Sequence, residues 1–151
     1  MTTSKYLDDL FAPALTEAQT GFVEGGIPIG SALFFEGTLL GTGRNQRVQQ
    51  DDPILHAEMH CLQQAGRQTA DVYRRSTLVT TLSPCDMCTG AILLYGIPRV
   101  VVGENHTFLG NEELLRSRGV KVVLLDDPAS RALMQAFIAR EPGLWNEDIG
   151  E

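Results

Sequence analysis

Apolar residues at Leu7, Leu10, Phe11, Ala14, Leu15, Ala18 and Phe22 recur at helical spacing and predict an opening helix. Pro13 falls inside that run, so the helix either starts near it or kinks there. Gly25-Gly26 ends it. Two apolar runs follow, 29–35 and 38–43, joined at Glu36-Gly37, and predict a hairpin. A polar loop, 44–53, leads into a helix over about 54–65 that Gly66 stops. Residues 76–82 read as a strand and 84–95 as a helix closed by Gly96 and Pro98. A strand over 99–103, a short helix over 112–118 and a strand over 120–125 come next. Asp126 or Asp127 can cap a helix over 128–140, which leaves a tail, 142–151.

The order is α-β-β-α-β-α-β-α-β-α. Alternation of strand and helix after the hairpin predicts an α/β fold: a three-layer α/β/α sandwich around one mixed five-stranded sheet. Val100-Val101-Val102 and the run from Val122 to Leu125 are continuously apolar, as strands covered on both faces must be.

Composition narrows the class. At 151 residues, with 43% hydrophobic and 21% charged, the chain reads as one globular domain, 1–151. A net charge of −7 argues against a nucleic-acid partner. The N-terminus has no signal-peptide character, the three cysteines are an odd number, and no apolar run spans a bilayer. These features predict a reduced, cytoplasmic location with no membrane partner.

The chemistry lies between Thr80 and Pro98, TTLSPCDMCTGAILLYGIP. Pro84 suits the first helical position, which places Cys85 and Cys88 in the first turn as neighbours on one face. A helix N-terminus favours the thiolate, the form that binds metal. Cys-x-x-Cys is half of a tetrahedral zinc site, and His56-Ala57-Glu58 offers the rest. Two residues apart, His56 and Glu58 do not share a helix face, so they converge only beyond the mouth of their helix. One imidazole and two thiolates leave a fourth position open, the mark of a catalytic zinc, one per chain. Such a metal lowers the pKa of water and makes a nucleophile at neutral pH. Glu58, near but not a ligand, can carry the proton.

His-x-Glu followed by Pro-Cys-x-x-Cys is the signature of the zinc nucleobase deaminases. The chain resembles fungal cytosine deaminases, of the cytidine deaminase-like superfamily, over nearly its whole length. The resemblance rests on GGIPIG (25–30), TTLSPCDMCTGAI (80–92), YGIPR (95–99), VVGEN (101–105) and EDIGE (147–151). It implies hydrolysis of cytosine to uracil and ammonia in pyrimidine salvage, in a homodimer whose pocket closes over a small-molecule base. It carries zinc ligation onto His56, Cys85 and Cys88 and the proton shuttle onto Glu58. Asn45 would bond the ring edge, with the backbone of Ala57 and of 83–85, including Ser83, completing the polar lining. Phe108 and Trp145 would sandwich the ring, and Asp148 would accept from the exocyclic amine.

Without the resemblance, Asn45 is as readily a turn residue, Phe108 and Trp145 are core aromatics, and Asp148 is a solvated acid. His60 lacks the neighbouring glutamate of a His-x-x-x-His zinc motif and reads as structural; Cys61 reads as a buried small apolar residue. Val48 replaces an aromatic of the fungal pattern and His106 also differs, changes that would widen the pocket. Isocytosine, 5-methylcytosine or guanine are therefore alternative substrates, and a tRNA adenosine deaminase is a further one. A zinc-stabilised binding module without catalysis has no use for Glu58.

Overall fold

The computed structural model describes residues 3–151. In chain order the elements are α1 (Thr3–Val23), β1 (Gly30–Phe35), β2 (Thr38–Arg44), α2 (Arg47–Gln50), α3 (Ala57–Ala65), α4 (Ala70–Arg74) and β3 (Ser76–Leu82). Then come α5 (Asp86–Tyr95), β4 (Arg99–Glu104), α6 (Glu112–Ser117), β5 (Lys121–Leu124), α7 (Pro128–Arg140) and α8 (Pro142–Asp148). Pro13 is an interior residue of α1, which runs past it in both directions. Glu36 and Gly37 both take positive φ, 49° and 83°, the conformation a two-residue hairpin needs.

The sheet order is β2-β1-β3-β4-β5. β1 pairs antiparallel with β2 and β3, and β3-β4-β5 are parallel. This is the mixed five-stranded sheet that the element order implies. Alternate side chains feed two cores. Ala32, Phe34, Val79 and Val101 meet Leu10, Phe11 and Ala14 of α1. Leu33, Leu78, Val100 and Val102 meet Cys61 of α3 and Ile92 of α5. A third cluster, Ile27, Ile29, Ala57, Leu82, Met134, Phe137 and Trp145, lies under the tail helix.

Two added helices and two helix starts differ from expectation. The polar loop contains a turn of helix, α2, and a second short helix, α4, precedes β3, capped by Thr69, whose Oγ1 accepts from the Val72 N–H at 3.3 Å. The third helix starts at Ala57, with His56 as an extended N-cap. Pro84 stands outside α5 rather than at its first position. Its carbonyl accepts the Asn111 N–H at 3.0 Å, while Cys85, extended at φ −70° and ψ 178°, is the N-cap whose carbonyl accepts from Thr89.

Candidate metal centre and base pocket

His56 and Cys85 hold the same position on two different helices. Each is an N-cap with extended backbone, and neither side chain caps its own helix. N-cap side chains usually turn back to accept the N–H of the second or third helical residue. Imidazole and thiol do that poorly, so both side chains are free to reach forward into the space ahead of α3 and α5. Glycines bring α3 close. A Cβ on Gly43 of β2 would stand 2.3 Å from the Cys61 nitrogen, so only glycine lets the helix backbone lie on this strand. His60 strengthens the join: its Nδ1 accepts the Arg44 N–H at 3.0 Å, which makes it structural, as expected. Cys61 is fully buried, and burial pushes its thiol up to about 12, the inert state of a packing residue.

His56 Nδ1 lies 3.4 Å from Cys85 Sγ and 3.7 Å from Cys88 Sγ, and the three ligand atoms all fall within 4.8 Å of one another. A tetrahedral ion with Zn–N of about 2.0 Å and Zn–S of about 2.3 Å requires N···S edges of about 3.6 Å. The donor set fits zinc in chemistry and in spacing. Contact with Cys88 and with His56 holds the Cys85 thiol down to about 4 against burial, while contact with Cys85, together with burial, pushes Cys88 up. Burial alone would lower His56, but hydrogen bonds with Asp148 and Cys85 outweigh it and raise it to about 10. Its Nε2 donates to Asp148 Oδ1 at 3.2 Å, which fixes the ring with Nδ1 turned to the thiols. Glu58, at the second helical position of α3, is 5% exposed. Burial, then the Cys85 thiolate, pushes its carboxyl up to about 7.

His56, Glu58, Ser83, Cys85, Phe108, Trp145 and Asp148 line one cavity with Ile29, Leu82 and Ile149. Its volume is about 20 Å³, room for a single water. Outside it, a cleft of about 470 Å³ runs past Pro53, Met87, Leu109 and Gly110. Phe108 and Trp145 meet edge to face, centroids 5.9 Å apart at 86°, and close the inner cavity. Cys88 sits behind the cavity wall, Asn45 behind Asp148, and the Ala57 side chain packs into the cluster under Trp145. Ser83 spends its hydroxyl on the Gly110 N–H, at 2.9 Å. Val48 and His106, expected to widen the pocket, do not line it: Val48 faces a separate cleft and His106 pairs with Asp126 at 2.8 Å.

Two residues escape sequence reading. Arg47 Nε lies 3.3 Å from Asp148 Oδ1, the same oxygen that receives Asn45 Nδ2 at 3.1 Å. Glu104, fully buried at the end of β4, accepts the backbone N–H groups of His106 and Thr107 at 2.7 and 3.0 Å and the Thr107 hydroxyl. It thereby sets the loop that carries Phe108. The dense run of Glu104, Asn105 and His106 after an apolar strand was the available signal, since a strand that ends on a buried acid must satisfy it locally.

Comparison with known proteins agrees with this geometry. The family model described as the cytidine and deoxycytidylate deaminase zinc-binding region matches residues 4–104, which hold both motifs. A cytosine deaminase from Candida albicans is 55% identical over 139 residues, 91% of this chain and 93% of that one. A tRNA-specific adenosine deaminase from Buchnera aphidicola is 39% identical over 105 residues, 68% of this chain and 69% of its own. Among solved structures, a guanine deaminase from Nitrosomonas europaea superposes with a TM-score of 0.70 at 24% identity, over 87% of this chain and 84% of that one, a likeness of fold. With the family model spanning well over half its length and a relative this similar nearly end to end, the chain belongs to the cytidine and deoxycytidylate deaminase family, hydrolases of C–N bonds that use zinc.

Proposed function

We propose that this protein converts free cytosine to uracil and ammonia, as a cytoplasmic homodimer serving pyrimidine salvage. The observation that carries the reading is the cavity in which Glu58, His56 and Cys85 meet under Trp145 and Phe108, with Cys88 completing the His56–Cys85–Cys88 group behind it. A relative 55% identical over nine-tenths of the chain bears the name cytosine deaminase. The enclosure suits a free base, and the acidic chain suits an uncharged substrate rather than a polynucleotide.

When bound, zinc acts as the Lewis acid that activates water for attack on the amino-bearing carbon. Glu58 takes the proton from that water and delivers it to the leaving amine, so that water and base become the oxo product and ammonia. Asp148, whose Oδ1 already meets Asn45, Arg47 and His56, accepts an N–H of the exocyclic amine. Asn45 has given its carbonyl oxygen to the Arg47 N–H and one amide hydrogen to Asp148. It keeps one N–H and one lone pair for the edge of the ring. The N–H of Ala57, at the first position of α3, has no intrahelical partner and completes the polar lining. Phe108 and Trp145 hold the faces and exclude water.

Support for cytoplasmic placement is a site that uses Cys85 and Cys88 unpaired by disulfides, which a reducing compartment maintains. Among the described residues no helix is long and apolar enough to cross a membrane. Support for the homodimer is an outward face of α3 and α5 on which Met59, Leu62 and Tyr95 line one groove and exposed Leu94 borders the next.

The test is steady-state ammonia release from cytosine, isocytosine, guanine, adenine and cytidine, with light scattering for the oligomer. Cytosine should lead in kcat/KM by a wide margin. Preference for a purine, or turnover of cytidine equal to that of cytosine, overturns the substrate.

A further inference from the structure

We propose that Arg47 is a positioning residue that latches the tail helix shut over the pocket by gripping Asp148 from the body of the protein. The inner cavity beside Glu58, about 20 Å³, adjoins the outer cleft of about 470 Å³, which shares His56, Cys85, Phe108, Asp148 and Ile149 with it. The inner space alone holds a water, so a ring set against Glu58 beneath Trp145 needs one of the two covers to give way. The Phe108 loop is stitched at both ends. Buried Glu104 accepts the N–H groups of His106 and Thr107, and Gly110 and Asn111 donate to Ser83 Oγ and the Pro84 carbonyl. A Cβ on Gly110 would fall 1.9 Å from that carbonyl oxygen, so the loop and the Cys-x-x-Cys turn are in direct backbone contact. The tail differs. Backbone N–H groups of α8 and the residues after it donate only within 137–151, and nothing pairs it with the sheet. What joins it to the body is apolar packing by Leu144, Trp145 and Ile149, an exposed Glu147 pair, and one buried carboxylate, Asp148.

Arg47 stands on the body side of that joint. Its own N–H donates to Asn45 Oδ1 at 3.0 Å and its Nη1 donates to the Pro53 carbonyl, so α2 and the following loop hold it in place. From there Nε reaches Asp148 Oδ1 at 3.3 Å, and Nη2 reaches exposed Glu147 at 3.8 Å. The side chains of Arg47 and Asp148 are 15% and 3% exposed, so solvent screens the inner pair little. Asn45 and His56 share the same oxygen, but Arg47 is the permanent cation of the hub. When the tail swings out, Asp148 leaves with it and Arg47 stays.

Loss of the latch lowers the closed fraction, which weakens apparent base binding in proportion. Product release becomes easier at the same time, so kcat holds or rises while KM climbs. Trp145 is the only tryptophan of the chain and is 5% exposed, so its fluorescence reports the tail directly. The kinetic arm rests on the base-binding reading; the fluorescence arm does not.

The experiment compares zinc-loaded full-length wild type with R47Q, R47K and E147Q. Acrylamide quenching of Trp145 should rise at least about threefold in R47Q and less in R47K. KM for cytosine should rise about tenfold or more in R47Q with kcat within about threefold. E147Q, which removes only an exposed pair, should stay within about twofold on both readings. If R47Q does not fold, R47K must still shift quenching and KM in the same direction. Wild-type quenching in the Arg47 variants, or a fall in kcat with KM unchanged, overturns the latch. If no base is turned over but R47Q still exposes Trp145, the substrate reading falls and the latch stands.

Discussion

The floor and the cover of this pocket are built by different means. On the floor, His56 and Cys85 are N-caps of α3 and α5, Glu58 and Cys88 sit two and three residues further in, and the helix ladders hold them. The cover is a short helix, α8, that meets the body through the side chains of Leu144, Trp145 and the following Ile149 and through ion-paired acids. A helix terminus cannot shift without breaking its ladder, whereas a side-chain joint opens at the loss of a few contacts. On the proposed function, chemistry that needs fixed distances falls to the first and access to the second.

The largest effects should come from the floor. Cys88→Ser puts a neutral hydroxyl where a thiolate is needed and should abolish zinc binding and activity together. Metal analysis beside ammonia release checks this, and chelation of the wild type should give the same loss, reversed by zinc. Full activity in metal-free protein would remove the floor's role. Glu58→Gln should keep zinc and the fold but lose on the order of 10²- to 10⁴-fold in kcat. Near-normal turnover would mean that another group moves the proton.

Damage to the cover should cost less and leave the metal alone. Deleting residues 144–151 should reduce kcat/KM by about a hundredfold through lost positioning, with zinc content unchanged. Trp145→Ala should do part of this, chiefly in KM. If truncation expels zinc, floor and cover are not separable; if activity survives it, Asp148 is only a surface acid.

The floor was legible in the chain because its residues are local to two short motifs whose chemistry has few other uses. Even so, the helix starts were misplaced. Pro84 is a natural first helical residue, but its carbonyl is held by the Asn111 N–H from a distant loop, and α5 begins two residues later. The sheet followed from periodicity, since Val100 to Val102 alternate between two cores. Trp145 and Asp148 entered only through the resemblance carried by the closing EDIGE, because periodicity says nothing of what a tail folds back upon. Asn45 and Asp148 meet across 103 residues, and the Arg47–Asp148 pair spans almost as far. Such a pair leaves no repeat in the chain. The family match stops at residue 104, so the metal half is the shared half and the base-covering half is the particular one.

The smallest predicted effect tests whether the Phe108 loop belongs with the floor. Among the described residues buried Glu104 is in no ion pair; two backbone N–H groups and one hydroxyl hold it instead. Such bonds to an ionised acceptor are the stronger kind, about 1.5–3 kcal/mol each. Glu104→Gln keeps the shape and one carbonyl acceptor for the two N–H groups, but turns an N–H₂ toward Thr107, whose hydroxyl must then reverse and accept. The loop should stay in place at a loss of about 1–2 kcal/mol, seen as a Tm lower by about 2–6 °C in the zinc-loaded protein. Because the loop is fixed in the unliganded state already, KM should change by less than about threefold, and Trp145 should remain shielded from acrylamide. A large rise in KM with little change in Tm would show that this loop moves with the tail, and the division between fixed floor and latched cover would have to be redrawn.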